Sequence, residues 1–215
     1  MNMPTNEQVK QYAAKLSLSS KLPSIDEKAL HVYRTSDGTA IYWRVRVKCL
    51  STGEKWIRPF YWDGGKFITG EPPAPPEGKP LFALELLALH PAAMVIVVEG
   101  ENKADAINKA AMQGGKENQI VATTSGGASS AQATNWQSLL GRVVVVWPDN
   151  DEAGAKYAAD VVACLQSIAA SVMAIDVAAF NLPHKGDAVD YFKAGGTMDS
   201  LMLAIESAQL VRNEV

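Results

Sequence analysis

Three carboxylates stand at the ends of two apolar runs. Residues 94–98 read Met-Val-Ile-Val-Val and lead into Glu99-Gly100-Glu101, and residues 143–147 read Val-Val-Val-Val-Trp and lead through Pro148 into Asp149-Asn150-Asp151. Carboxylate oxygens are the natural ligands of hard divalent cations such as Mg2+ or Mn2+. Gathered at one place, Glu99, Asp149 and Asp151 would converge on such an ion. Each acid also has a plainer reading. Glu99 would serve to cap the helix that follows it, and Asp149 and Asp151 would make an Asx turn and an N-cap ahead of Ala153. A calcium loop of EF-hand type is excluded, because counting from Asp149 puts Ala153 and Asp160 where that loop needs an oxygen donor and a glutamate.

The elements that must position these acids are legible in the periodicity. Continuous Val- and Ile-rich runs are how strands covered on both faces of a parallel sheet read, and open α/β sheets bind ligands at the carboxyl ends of such strands. The pattern predicts strands at 94–98, 119–123, 142–147 and 171–177. Between and after them it predicts helices at 102–112, 131–140, 153–168, 188–193 and 198–208, with a further helix at 81–89 stopped by His90-Pro91. Strands alternating with helices mean a parallel sheet with crossovers. Ser125-Gly126-Gly127 falls at a strand-to-helix turn, where glycine lets backbone N–H groups approach an anion or simply makes the turn. Lys103, in the first turn of its helix, reads as a solvated residue, with phosphate contact as the alternative. Asp187 and Asp190 follow the fourth strand and read either as further acids near the site or as helix caps.

This order of parts resembles the Toprim domain, the catalytic module of bacterial and phage primases, type IA and II topoisomerases and some nucleases. The similarity rests on Val97-Val98-Glu99-Gly100-Glu101 and on Trp147-Pro148-Asp149-Asn150-Asp151-Glu152-Ala153-Gly154. Lys185-Gly186-Asp187-Ala188-Val189-Asp190-Tyr191 is similar to the later acidic turn of the phage and plasmid primase branch. The resemblance runs from about Pro80 to Phe192. It implies catalytic and metal-binding roles for Glu99, Asp149 and Asp151, with Asp187 and Asp190 nearby, Mg2+ or Mn2+ as cofactor, and Glu99 as an alternative general acid or base. Relatives often place a lysine directly after the Glu-Gly-Glu triplet, whereas here Asn102 intervenes before Lys103. The implied activity is nucleotidyl transfer on nucleic acid by the catalytic part of a mobile-element DNA primase, acting on single-stranded DNA and nucleoside triphosphates. A metal-dependent nuclease would use the same acids with water as the attacking group. A non-catalytic regulatory protein that grips nucleic acid or a partner is the third reading.

The first eighty residues read differently. Thr5 is a plausible N-cap for an amphipathic helix over 5–16, and from residue 30 to 69 the period changes to two, as in an antiparallel meander of three or four strands. Arg44, Arg46 and Lys48 share one face of the second strand with Tyr42, since residues two apart point the same way. Lys55 and Arg58 are expected beside them on the next strand. Basic side chains among aromatic rings suit a single-strand nucleic-acid platform, and they equally suit a solvated outer face. Residues 71–80 contain five prolines, a stiff extended linker rather than an element. The expected organisation is therefore a helix and lead-in (1–29), a β module (30–70), the linker (71–80) and the α/β domain (81–215).

Charge divides the same way. Residues 1–80 carry 12 Lys and Arg against 8 Asp and Glu, while residues 81–215 carry 8 against 15. Cys49 and Cys164 are too few and too far apart for a zinc ribbon, and no P-loop of the helicase type occurs in the 215 residues. A zinc-bearing partner or a replicative helicase would have to act in trans. No apolar run has the length of a membrane span and no secretory pattern opens the chain, so a cytoplasmic location is expected.

Overall fold

The computed structural model describes residues 3–127 and 129–213, with side chains for all of these except 178, 179 and 207–213. Two compact units divide the chain, residues 1–76 and 77–215.

In the first unit, helix α1 (Asn6–Ser17) starts at Thr5, which closes a capping box with Gln8. The strands β1 (Glu27–Arg34), β2 (Ala40–Lys48), β3 (Lys55–Trp62) and β4 (Phe67–Thr69) form an antiparallel sheet in sequence order. Val9 and Ala13 of α1 pack on Trp43, Val45, Val47 and Phe60, as period-two and helical spacing require for one shared core. Tyr12 stacks on Phe67 with ring centres 4.6 Å apart. The register sets Arg44 opposite Pro59, Arg46 opposite Ile57 and Lys48 opposite Lys55, but Arg58 opposite Val45. Arg58 is therefore on the other face from Lys55, a correction that follows from their odd spacing of three residues.

In the second unit, α2 (Leu84–Leu89) precedes β5 (Met94–Val98), α3 (Glu101–Gln113), β6 (Ile120–Thr123), β7 (Val143–Trp147), α4 (Glu152–Leu165), β8 (Ser171–Ala174), α5 (Ala188–Lys193) and α6 (Met198–Asn213). The sheet order is β6-β5-β7-β8, every pair parallel. Val95 and Val97, with Val144 and Val146, pack into one core with Tyr157, Val161 and Leu165 of α4. Asn108 of α3 takes both the amide and the carbonyl of Ala122 on β6, at 2.7 and 3.0 Å.

Residues 131–140 are not the expected helix. Two short 3-10 turns occupy Ala131–Ala133 and Gln137–Leu139. Between them Thr134 is extended and bridges Lys79, and the Asn135 side chain accepts from the Gln137 amide at 3.0 Å, an Asx turn that competes with helix. The strand expected over 171–177 stops at Ala174, and the helix expected to reach 168 stops at Leu165. Among the described residues no helix is long and apolar enough to cross a membrane.

Candidate active site

Strands β5 and β7 are direct neighbours, paired Val98 with Trp147, so the acids that follow each strand meet at the carboxyl end of the sheet. The Asp149 amide donates to Glu99 Oε1 at 3.4 Å. Burial and the nearby Asp149 charge push the Glu99 carboxyl above the ordinary glutamate range. Burial also pushes Asp149 up, and although the Lys103 ammonium opposes this, the charges of Asp187 and Asp151 reinforce it. Two carboxylates drawn together out of water are a place that favours a cation.

The protein already supplies one. Lys103 donates to Asp149 Oδ1 in a direct ion pair and lies 3.8 Å from Asp187 Oδ2. Lys103 is only 14% exposed, so it is not the solvated helix residue that its place in the first turn suggested. Its partners come from elements far apart in sequence, which periodicity does not report.

Asp151 is turned to its own helix. It is the N-cap of α4, its carboxylate accepting from the Gly154 amide at 2.8 Å. Gly154 is required there, because a Cβ would stand 2.7 Å from the Asp149 nitrogen. Asp187 caps α5, accepting from the amides of Val189 and Asp190 at 2.8 and 3.2 Å, while its second oxygen is the one near Lys103. Asp190 closes that capping box by accepting from the Asp187 amide at 3.3 Å.

Two residues that sequence reasoning passed over hold this arrangement. Asn150 fastens the loop before α5 to the end of β7, through its side-chain amide to the Leu182 and Pro183 carbonyls at 2.9 and 3.1 Å. Its backbone adds bonds with Gly186 and Lys185 at 3.0 and 2.9 Å. Tyr157 lies inside α4 and donates to the Val98 carbonyl at 3.0 Å, just ahead of Glu99, while sharing a 3.0 Å hydrogen bond with Ser125. Burial pushes its hydroxyl up from the ordinary tyrosine range. The signal for Asn150 was its place between two acids. Tyr157 sits on the apolar stripe of α4 and reads as core.

The Ser125-Gly126-Gly127 turn is tied to the same strand ends. The Gly126 amide donates to Thr124 Oγ1 at 3.0 Å, and Ser130 donates to Ser125 Oγ at 3.2 Å. Both glycines have positive φ, 93° and 152°, which L side chains resist.

The donor set suits Mg2+ or Mn2+, being all oxygen with a cation-demanding pair at its centre. Among the described residues no three His, Cys, Asp or Glu side chains are grouped to hold a metal ion by themselves. Mg2+ commonly takes one or two protein carboxylates and completes its shell with water and substrate phosphate.

In the first unit, Arg44 is buried and paired with Glu71 at 2.6 Å, with its guanidinium over the Tyr33 ring. Tyr42 is buried and stacked on Tyr33, so neither ring is an open stacking platform. Arg46 lies 3.6 Å from Glu27. Lys55 and Arg58 are exposed and Lys48 half-buried.

Acids at adjoining strand ends of a four-stranded parallel sheet, with helices around it, form an α/β domain of which residues 96–192 match the Toprim-like family model. Among solved structures, the primase fragment of the bacteriophage T7 primase-helicase protein is similar with a TM-score of 0.50 and 20% identity, covering 86% of this chain. This chain spans 65% of that fragment. The primase domains of T7 gp4, in a structure with the T7 lagging-strand DNA polymerase, an RNA/DNA hybrid and dTTP, are similar with a TM-score of 0.50 and 17% identity, covering 86% of this chain and 79% of that one. Among curated proteins none matches this chain.

Proposed function

We propose that this protein is a metal-dependent nucleotidyltransferase that synthesises primers on single-stranded DNA, as the Toprim catalytic part of a mobile-element primase working in the cytoplasm. The observation that carries the reading is the meeting of Glu99 and Asp149 at the ends of adjacent parallel strands within a Toprim-like domain. Glu99 and Asp149 would hold Mg2+ or Mn2+, with Asp151 and Asp187 close enough to add charge. When bound, the ion stabilises charge on the phosphoryl oxygens of an in-line displacement. Where Glu99 does not hold the ion, its place above the ordinary glutamate range would suit it as the alternative general base for the proton of an attacking 3′-hydroxyl. Tyr157 fixes the Val98 carbonyl and thereby the direction in which Glu99 leaves the sheet. Lys103 and the Ser125-Gly126-Gly127 turn would contact the triphosphate.

Single-stranded DNA would be tracked by basic residues of the first unit. Lys48 and Lys55, which share one face, would carry this role better than Arg44, which is buried, and Arg46, which faces Glu27, with Arg58 on the opposite face. A helicase or a zinc-bearing protein would act as a partner in trans.

Incubating the protein with single-stranded DNA, labelled nucleoside triphosphates and Mg2+ or Mn2+ tests this reading. New oligonucleotide is the expected product, abolished by Glu99→Gln and by Asp149→Asn. Shortened DNA would instead identify a nuclease, and binding without turnover a regulatory protein.

A further inference from the structure

Lys103 stands in the first turn of α3, yet its ammonium serves acids from two other segments, Asp149 after β7 and Asp187 before α5. The three side chains are 14%, 20% and 22% exposed, so bulk water and salt do little to screen them. A divalent ion on Asp149 would have to share its carboxylate with this positive charge or replace it. Being covalently tethered, the ammonium competes at a high effective concentration that dilution cannot lower. Its flexible four-carbon stem lets it swing to another anion without moving α3.

We propose that Lys103 is a built-in competitor for the divalent cation, resting on the reading that Glu99 and Asp149 hold that ion. In the nucleotide-free protein the ammonium pairs with Asp149 and lies beside Asp187, offsetting one of their two negative charges. Mg2+ or Mn2+ takes Asp149 only as Lys103 leaves, and the phosphates of a nucleoside triphosphate give the displaced ammonium its new partner. No covalent bond changes. One positive charge moves from carboxylate to phosphate while the ion takes the vacated oxygens. The site thus loads metal and nucleotide together and holds a bare ion only weakly, at concentrations high enough to displace the ammonium.

The test titrates Mn2+ alone into the full chain and reads free Mn2+ by electron paramagnetic resonance, for the parent, Lys103→Gln and Lys103→Arg. Lys103→Gln should bind Mn2+ roughly tenfold more tightly or better, since a unit charge at contact distance from a divalent ion is worth at least that factor even at the dielectric of water. Lys103→Arg, which keeps the charge, should bind as weakly as the parent. Equal or weaker binding by Lys103→Gln, with the parent binding measurably, overturns the inference and leaves the metal reading standing. Absence of binding by parent and variant alike overturns both. A second measurement needs no variant: amine acetylation of the parent, followed by mass spectrometry, should modify Lys103 slowly without Mg2+ and faster with it. An Mg2+-independent rate at Lys103 overturns the inference.

Discussion

Replacing Gly154 with alanine should weaken the fold, against the direction helix propensity gives. Gly154 sits in the first turn of α4, and its amide is the one Asp151 caps. Alanine in a helix interior is worth about 1 kcal/mol over glycine, so on propensity alone the substitution stabilises. The added Cβ, however, would stand 2.7 Å from the nitrogen and 2.9 Å from the carbonyl carbon of Asp149, and nearer still to its oxygen. These are main-chain atoms at the end of a buried strand, so no rotamer change relieves the contact. Overpacking of this kind costs about 1–3 kcal/mol, and a clash with backbone belongs at the upper end of that range. After subtracting the propensity gain, a net loss of about 1–2 kcal/mol remains. Urea denaturation would show it as a lower midpoint with an unchanged slope. Primer synthesis should fall further than the loss of folded protein accounts for, because the atoms that must move carry Asp149. A Gly154→Ala protein as stable as the parent, or more so, would refute the reasoning.

Other outcomes are expected from the same geometry. Glu99 binds its proton more tightly folded than unfolded, so its contribution is least unfavourable below the ordinary glutamate range and worsens as pH rises through the raised folded value; Glu99→Gln should therefore melt higher than the parent at neutral pH, with the difference vanishing in acid. A parent that gains stability relative to Glu99→Gln on going from acid to neutral pH contradicts this. Asn150→Ala takes its donor from the Leu182 carbonyl, while the Pro183 carbonyl keeps the Gly186 amide, and should cost roughly 1 kcal/mol. Amide exchange at 185–187 should accelerate in that variant, and unchanged exchange would mean that Asn150 does not hold the loop. Lys48→Ala with Lys55→Ala should weaken single-stranded DNA binding and flatten its dependence on salt. Arg44→Ala should act mainly on stability, since Arg44 is buried against Glu71 and Tyr33; a loss of affinity without loss of stability would reverse that assignment.

The strand-end acids were legible because buried parallel strands leave an unmistakable trace, an unbroken Val and Ile run that ends abruptly in charge. β5, β7 and their acids follow from that trace alone. Their neighbours do not, because strand order is a tertiary property: only the pairing of β5 with β7 makes Glu99 and Asp149 adjacent. Lys103 was misread for a related reason. A lysine in the first turn of a surface helix is solvated by default, and what overrides this is two acids arriving from 46 and 84 residues away. The turns at 131–139 escaped because Thr134 and Asn135 are tolerated in helices, yet here each finds a stronger local or long-range hydrogen-bond partner. The basic face was half right by parity: Arg44, Arg46 and Lys48 do align, but Tyr42 and Arg44 are interior.

Asn108 carries a consequence for how the protein behaves in company. An outer strand of a parallel sheet normally offers a row of unpaired amides and carbonyls, on which another chain can build. On β6 the Ala122 amide and carbonyl are both taken by one asparagine side chain, which imitates the backbone of a strand that is not there. A dummy neighbour of a single residue thus ends the sheet on this side. Addition of a second copy at this strand would first have to displace the Asn108 side chain from Ala122.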